Sequence, residues 1–289
     1  MPRKSGRALC VVAFSLIAFL PMSDNPLAGK EPKMKPEELV AKHLGAIGAP
    51  QALAAVRTRA ISGIARAVGR VGGQGQIIGR GNILSEGRMI RIGMNFNQLE
   101  YPGEQFAFDG DKVTVGQVQP GRRSALSSFF YTYDALLKEG LLGGATTTAW
   151  ALLDVAGRQP KLDYAGLKKI QGKQLHEVKY KAKKSMGDLT AALYFDPEDF
   201  RHVFSQYRLV IPAAMGRTPT ESSGQRETIY TIQESFSDFQ VVDDLTLPHS
   251  YKLTLTIEGQ SNTFLGDWFF TVEQVLHNQP LDSKFFVVQ

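Results

Sequence analysis

Residues 236–259 read FSDFQVVDDLTLPHSYKLTLTIEG. Apolar and polar side chains alternate on both sides of Asp243 and Asp244. A period of two, interrupted by a pair of turn-forming residues, is the pattern of an antiparallel hairpin with one apolar and one wet face. In its second arm Tyr251, Leu253, Leu255 and Ile257 share one face, while Lys252, Thr254, Thr256 and Glu258 share the other. The same alternation lines up Val203, Tyr207, Leu209 and Ile211 in residues 201–211, and Trp268, Phe270, Val272 and Leu276 in residues 267–276.

Working outward, strands are expected at 59–68, 87–94, 105–110, 112–118, 174–182, 190–196, 202–211, 227–239, 250–259 and 267–277. Turn residues such as DGD, QPGRR and DPED lie between many of them. Such a series predicts one large antiparallel meander that curls on itself. The stretch GRVGGQGQIIGRGN, residues 69–82, reads as a flexible connection, and residues 212–226 read as a long loop. Helices are few. Over 36–47, Pro36 suits the first helical position and Glu37 and Glu38 the positive first turn. Leu39, Val40, His43, Leu44 and Ile47 share a side before Gly48 stops the helix. PQALAAV, 50–56, adds a short second turn. In 122–144, Leu126, Phe129, Phe130, Tyr133 and Leu137 form an apolar stripe that ends at Gly140. TTTAWALLDVAG, 146–157, predicts one more helix with a threonine N-cap and Gly157 at its end.

The chain has 289 residues and a formal net charge of +5, too mild and too scattered to call for nucleic acid. It opens with Arg3, Lys4 and Arg7, then a short apolar run, then SDNPLAGK, which is the order of a cleavable export signal with the cut near Ala28 or Gly29. Residues 1–29 are thus expected to be a signal peptide and 30–289 a single domain, periplasmic or secreted. Lys30 rather than cysteine follows LAG, so no lipid anchor is expected there. The only cysteine, Cys10, lies within the signal, leaving the mature chain without a thiol. Lys179, Lys181 and Lys183 fall on one strand face, expected to be solvated, with anionic lipid headgroups as the sharper alternative.

Enzyme signatures are missing. His43, His176, His202, His249 and His277 form no HExxH or other close zinc-binding pair, and no GxSxG elbow occurs. GGQGQIIG is one residue too long for a dinucleotide fingerprint, and FDGDK lacks the ligand ladder of a calcium loop. Asp196, Glu198 and Asp199 in YFDPEDF read as an exposed turn rather than an acid–base pair. The expectation is no enzyme, no cofactor and no metal. The positive signal is apolar: a wide sheet face with only a few short helices to cover it. Patterning alone leaves open whether helices and sheet close fully or leave room for a ligand.

Several stretches resemble LolA/LolB-like periplasmic lipoprotein carriers and their lipoprotein-sorting relatives. LYFDPEDFRHVFSQYRLV (193–210) is similar to their LDPET-type hairpin, 236–255 to the hairpin that follows, and 270–286 to the last strand and tail. Residues 38–63 resemble the leading helix and first strand, and FAFDGDKV and LLKEGLLGG the middle of longer members. The resemblance implies an α+β, mainly β fold: an unclosed antiparallel β-barrel of about 10–11 strands, with helices plugging its concave face and acyl chains entering between the two. The segment from about Ser124 to Pro160 is longer than in the short carriers. The residues expected to line such a site are Phe129, Phe130, Tyr133, Leu137 and Trp150 from the helices. The sheet would add Tyr207, Leu209, Tyr251, Leu253, Leu255, Trp268 and Phe270. The expected role is non-catalytic binding or transport of lipid or lipoprotein acyl chains. The alternative is a structural module of the cell envelope with a closed core, whose edge strands or 212–226 loop bind an envelope protein. A hydrolase using His176, His202 or Asp196 is the weakest reading. An integral outer-membrane barrel is not expected, because the strand faces carry too many Lys, Glu and Gln.

Overall fold

In a computed structural model, residues 34–70, 75–184, 186–213, 226–259 and 263–288 are described. The expected signal and most of the 212–226 loop lie outside them. The Asp243–Asp244 hairpin forms as its sequence requires. Both aspartates take positive φ, 49° and 63°, the paired left-handed conformation that matches the right-handed twist of strands. They join β10 (Thr228–Val242) to β11 (Leu245–Glu258), which continues into β12 (Thr263–His277).

The first half of the chain gives α1 (Pro36–Ile47), α2 (Pro50–Ala55), β1 (Thr58–Gly69), β2 (Gly75–Glu86), β3 (Met89–Phe96), β4 (Gly103–Phe108) and β5 (Val113–Val115). The short helices α3 (Ala125–Thr132), α4 (Ala135–Lys138) and α5 (Val155–Arg158) follow. Then come β6 (Lys161–Ile170), β7 (Lys173–Lys181), β8 (Thr190–Phe195) and β9 (His202–Ile211). All are in one antiparallel sheet, ordered β5-β4-β3-β2-β1-β12-β11-β10-β9-β8-β7-β6. Every neighbour is also a sequence neighbour, except where β1 meets β12. The outer strands β5 and β6 do not pair, so the barrel stays unclosed. Residues 116–160 join those two edges. Their apolar side chains (Leu126, Phe130, Leu137, Leu141 and Trp150 among them) share one buried core with the inward residues of the sheet. This segment is the plug.

Twelve strands replace the expected ten or eleven. β2 was hidden in the glycine-rich stretch read as a connection. Those glycines serve close approach rather than flexibility: a Cβ on Gly79 would lie 1.9 Å from the Asn95 carbonyl oxygen, and one on Gly81 2.4 Å from the Phe270 ring. β6 was hidden by its lysines, which suit an exposed edge. The predicted stripe of 126–137 is buried except at Tyr133, which is partly buried, and it is not one helix. α3, capped by Ser124 Oγ accepting from the Ser127 N–H at 2.9 Å, ends at Thr132, and α4 starts afresh at Ala135. The 146–157 helix is also broken. A 3-10 turn over 151–154 precedes α5, whose cap is Asp154, not a threonine.

Two bulges invert the alternation read from the sequence. The register between β8 and β9 shifts at Tyr194/Phe195, so Val203 does not join Tyr207 and Leu209. It packs instead with Leu175, Tyr194 and Phe204 in a small separate cluster. A shift beside Ser62/Gly63, between β1 and β12, turns Leu276 outward, where it is 41% exposed. A bulge inserts one residue on one strand and exchanges the faces beyond it.

Candidate functional site

The residues expected to line a ligand site lie together where plug meets sheet. Phe129, Phe130, Leu137 and Trp150 come from the plug, and Tyr207, Leu209, Tyr251, Leu253, Leu255, Trp268 and Phe270 from the sheet; all are buried, and Tyr133 is partly buried against them. Ring pairs such as Phe106–Phe130 at 4.7 Å and Phe129–Tyr230 at 5.6 Å bridge the layers. In this state these side chains are one another's packing partners. The seam among Ile83, Ile92, Met94, Tyr251, Trp268 and Phe270 is too narrow to admit a water molecule.

Polar groups pin the plug to the sheet, the Thr148 N–H to Ser85 Oγ at 2.9 Å and the Tyr180 hydroxyl to Glu139 at 3.0 Å among them, and three further pins are built on buried charged side chains. Glu234, on the inward phase of β10 between Ile232 and Phe236, is fully buried. Its Oε1 accepts from the Gly143 N–H and the Tyr251 hydroxyl, each at 2.7 Å. Tyr207 Oη lies 2.8 Å from both the Leu141 carbonyl oxygen and Glu234 Oε2. One phenolic proton cannot serve both acceptors, and the carbonyl can only accept. The arrangement is complete when Glu234 carries a proton on Oε2 and donates it to Tyr207. Burial pushes the carboxyl up to about 7, in keeping with that count. The second pin is Glu104 of β4. It accepts from the Tyr101 and Ser127 hydroxyls, both at 2.5 Å, and Tyr101 accepts from Trp268 Nε1 at 2.7 Å. Burial raises this carboxyl also. The third is Arg59 of β1, whose Nη1 donates to the Ala145 carbonyl at 2.7 Å.

The histidines expected not to bind zinc are tied into the fold by hydrogen bonds. His43 donates from Nδ1 to the Phe200 carbonyl at 3.1 Å and accepts at Nε2 from Trp150 Nε1 at 3.0 Å, which fixes a neutral tautomer. Burial lowers it to about 4. The Phe200 carbonyl is presented by the DPED turn. There Asp196 and Asp199 accept from the backbone N–H groups of Glu198 and Arg201, and Phe200 takes φ 58°. His202 stacks on Trp150 at 4.7 Å and meets Ser205 Oγ at 2.8 Å. With both at 2% exposure or less, the pair offers a substrate no approach. His176 bonds the Tyr164 hydroxyl at 2.8 Å. Among the described residues no group of three or more His, Cys, Asp or Glu could hold a metal.

Space is found beside the plug. A groove of about 730 Å³ runs between α1, α2, the start of β1 and residues 148–153, with Leu44, Leu53, Val56 and Leu153 among its apolar walls. The volume falls within the range of ligand clefts, about 300–1,000 Å³. Gly45 of α1 opens onto it, and a Cβ there would meet nothing within 4 Å. Arg59 also lines it, only 3% exposed. Its Nε donates to His277 Nε2 at 3.0 Å, so His277 holds its proton on Nδ1 and donates it to Asp243 at 2.9 Å. Burial lowers the guanidinium to about 10. A second hollow of about 850 Å³ at the β7–β8 hairpin is lined by Lys179, Lys181, Lys183 and Arg208, all exposed, as expected of a solvated lysine face.

Arg59, Gly45, Glu104 and Glu234 were not among the residues singled out from the sequence. A signal existed for Glu234, a lone carboxyl on the inward phase of an otherwise apolar strand face. None existed for Gly45, whose meaning depends on what α1 packs against.

No family model matches the chain, and no curated protein does. Solved structures are similar in fold. A LolA superfamily protein from Nitrosomonas europaea shares 12% identity at a TM-score of 0.45, over 88% of this chain and 98% of the other. A putative outer membrane lipoprotein-sorting protein domain from Vibrio parahaemolyticus shares 9% at 0.41, over 86% and 93%. A DUF1329 family protein from Desulfovibrio piger shares 8% at 0.39, over 88% and 98%.

Proposed function

We propose that this chain is a non-catalytic binding protein for hydrocarbon chains, those of a lipid or a lipid-modified protein. The observation that carries this reading is the apolar groove under α1 and α2. Each methylene moved into such a groove gains about 0.8 kcal/mol, so a long acyl chain has ample reason to occupy it. The plug extends the same logic. Its contact with the sheet is apolar apart from a few polar pins, and a shift of residues 141–145 would release two of them, those at Glu234 and Arg59, together. A chain too long for the groove then continues between plug and sheet, along Phe129, Tyr207, Leu253 and Phe270. We further propose that residues 1–29 direct export and are removed, that residues 30–289 act as one domain, and that the work is done in the periplasm or outside the cell. Among the described residues, no helix is long and apolar enough to cross a membrane.

Titration with N-phenyl-1-naphthylamine, a neutral apolar fluorophore, tests the reading. A saturable rise in emission, reversed by dodecan-1-ol and absent in Gly45→Phe, is expected. Lack of any saturable signal in the parent chain contradicts it. The tight seam favours a second reading, an envelope interaction module with a closed core. Capture of one stoichiometric protein partner by lipid-free material supports that instead.

A further inference from the structure

Arg59 poses a problem that its neighbours only partly solve. It is buried, it lines an apolar groove, and among the described residues no carboxylate lies within 4 Å of it. Burial lowers its basicity, with no acidic group offsetting it. Nε and Nη1 are engaged by His277 and Ala145; Nη2 has no hydrogen-bond partner among the described residues. Asp243 reaches the guanidinium only through His277. A buried cation without an anion is costly unless something anionic arrives. Arg57 and Glu86, the other charges of the groove, are more exposed than Arg59.

We propose that Arg59 receives the carboxylate head of a fatty acid whose tail lies along Leu44, Leu53 and Val56. The inference rests on the hydrocarbon-binding reading above and adds the chemistry of the head. A guanidinium matches a carboxylate in geometry and charge, and apolar walls strengthen the bond by excluding water. A neutral head would leave the charge as unmatched as it is in the empty groove.

Calorimetric titration of the full chain with dodecanoate and with dodecan-1-ol separates head from tail. Dodecanoate is expected to bind about 10- to 100-fold more tightly, the range a charge-assisted hydrogen bond supplies. Arg59→Met should erase the preference while retaining dodecan-1-ol binding, and Arg59→Lys should retain part of it. Gly45→Phe should lose both ligands. Equal affinity for the two ligands, or a preference that survives Arg59→Met or Gly45→Phe, overturns the inference and leaves hydrocarbon binding standing. Binding of neither ligand overturns both. Should Arg59→Met fail to fold through loss of its bond to Ala145, the ratio in the parent chain and in Arg59→Lys decides.

Discussion

Glu234 shows how one residue couples folding to pH. Its carboxyl titrates near 7 in the folded chain and near the ordinary 4.5 when unfolded. Between those values the folded state keeps a proton that the unfolded state has lost. Stability therefore falls as pH rises through that window, by about 3 kcal/mol in all. His43 acts in the opposite sense. Depressed from 6.5 to about 4, it contributes stability that is lost as pH falls through its own window. Glu234→Gln preserves the shape of the protonated side chain and removes its titration. Urea midpoints from about pH 5 to about pH 8 should show the variant gaining on the parent as pH rises and levelling off above the folded value. Parallel curves would mean that Glu234 is ionised in the folded chain and that Tyr207 leaves one acceptor unserved. Little of this was legible beforehand, since a strand pattern marks Glu234 as inward but does not name Tyr207, Tyr251 and Gly143 as its partners.

At the level of elements, the sequence was most readable where period and turn chemistry agree. α1 begins at Pro36 and stops at Gly48, and the Asp243–Asp244 hairpin forms where two turn residues interrupt the alternation. Reading failed where a bulge exchanges faces, as at Val203 and Leu276, because nothing local announces an inserted residue. The pattern is equally silent at β2, where glycines that serve close approach look like those of a flexible connection. Gly79→Ala tests that explanation: its Cβ would collide with the Asn95 carbonyl, so a loss of about 1–3 kcal/mol is expected from denaturant unfolding. An unchanged midpoint would show that β2 and β3 can part freely. Gly45 has the opposite character. It is helical with open space around it, so Gly45→Ala should raise stability by up to about 1 kcal/mol. A loss would mean that the groove wall is already filled.

For the whole molecule, the sheet's strand order and the plug's route explain each other. Strands meander outward from the β1–β12 pairing, and the chain returns between the two free edges by way of residues 116–160. The plug is therefore tethered at both ends and pinned in the middle by Glu104, Glu234 and Arg59. The mostly β fold, its curl and the apolar inner face were readable from alternation. How closely plug and sheet fit was not, because a helix that fills a core and one that roofs a cavity bury the same stripe. Beside the plug the fold leaves an apolar groove, whereas the seam among the inward side chains of β2, β3, β11 and β12 is sealed. Native mass spectrometry of the chain isolated from the cells that make it tests this most directly. The account predicts a population heavier by one acyl-bearing molecule, missing from Gly45→Phe. The bare polypeptide mass alone in the parent chain, even after incubation with dodecanoate, would contradict it.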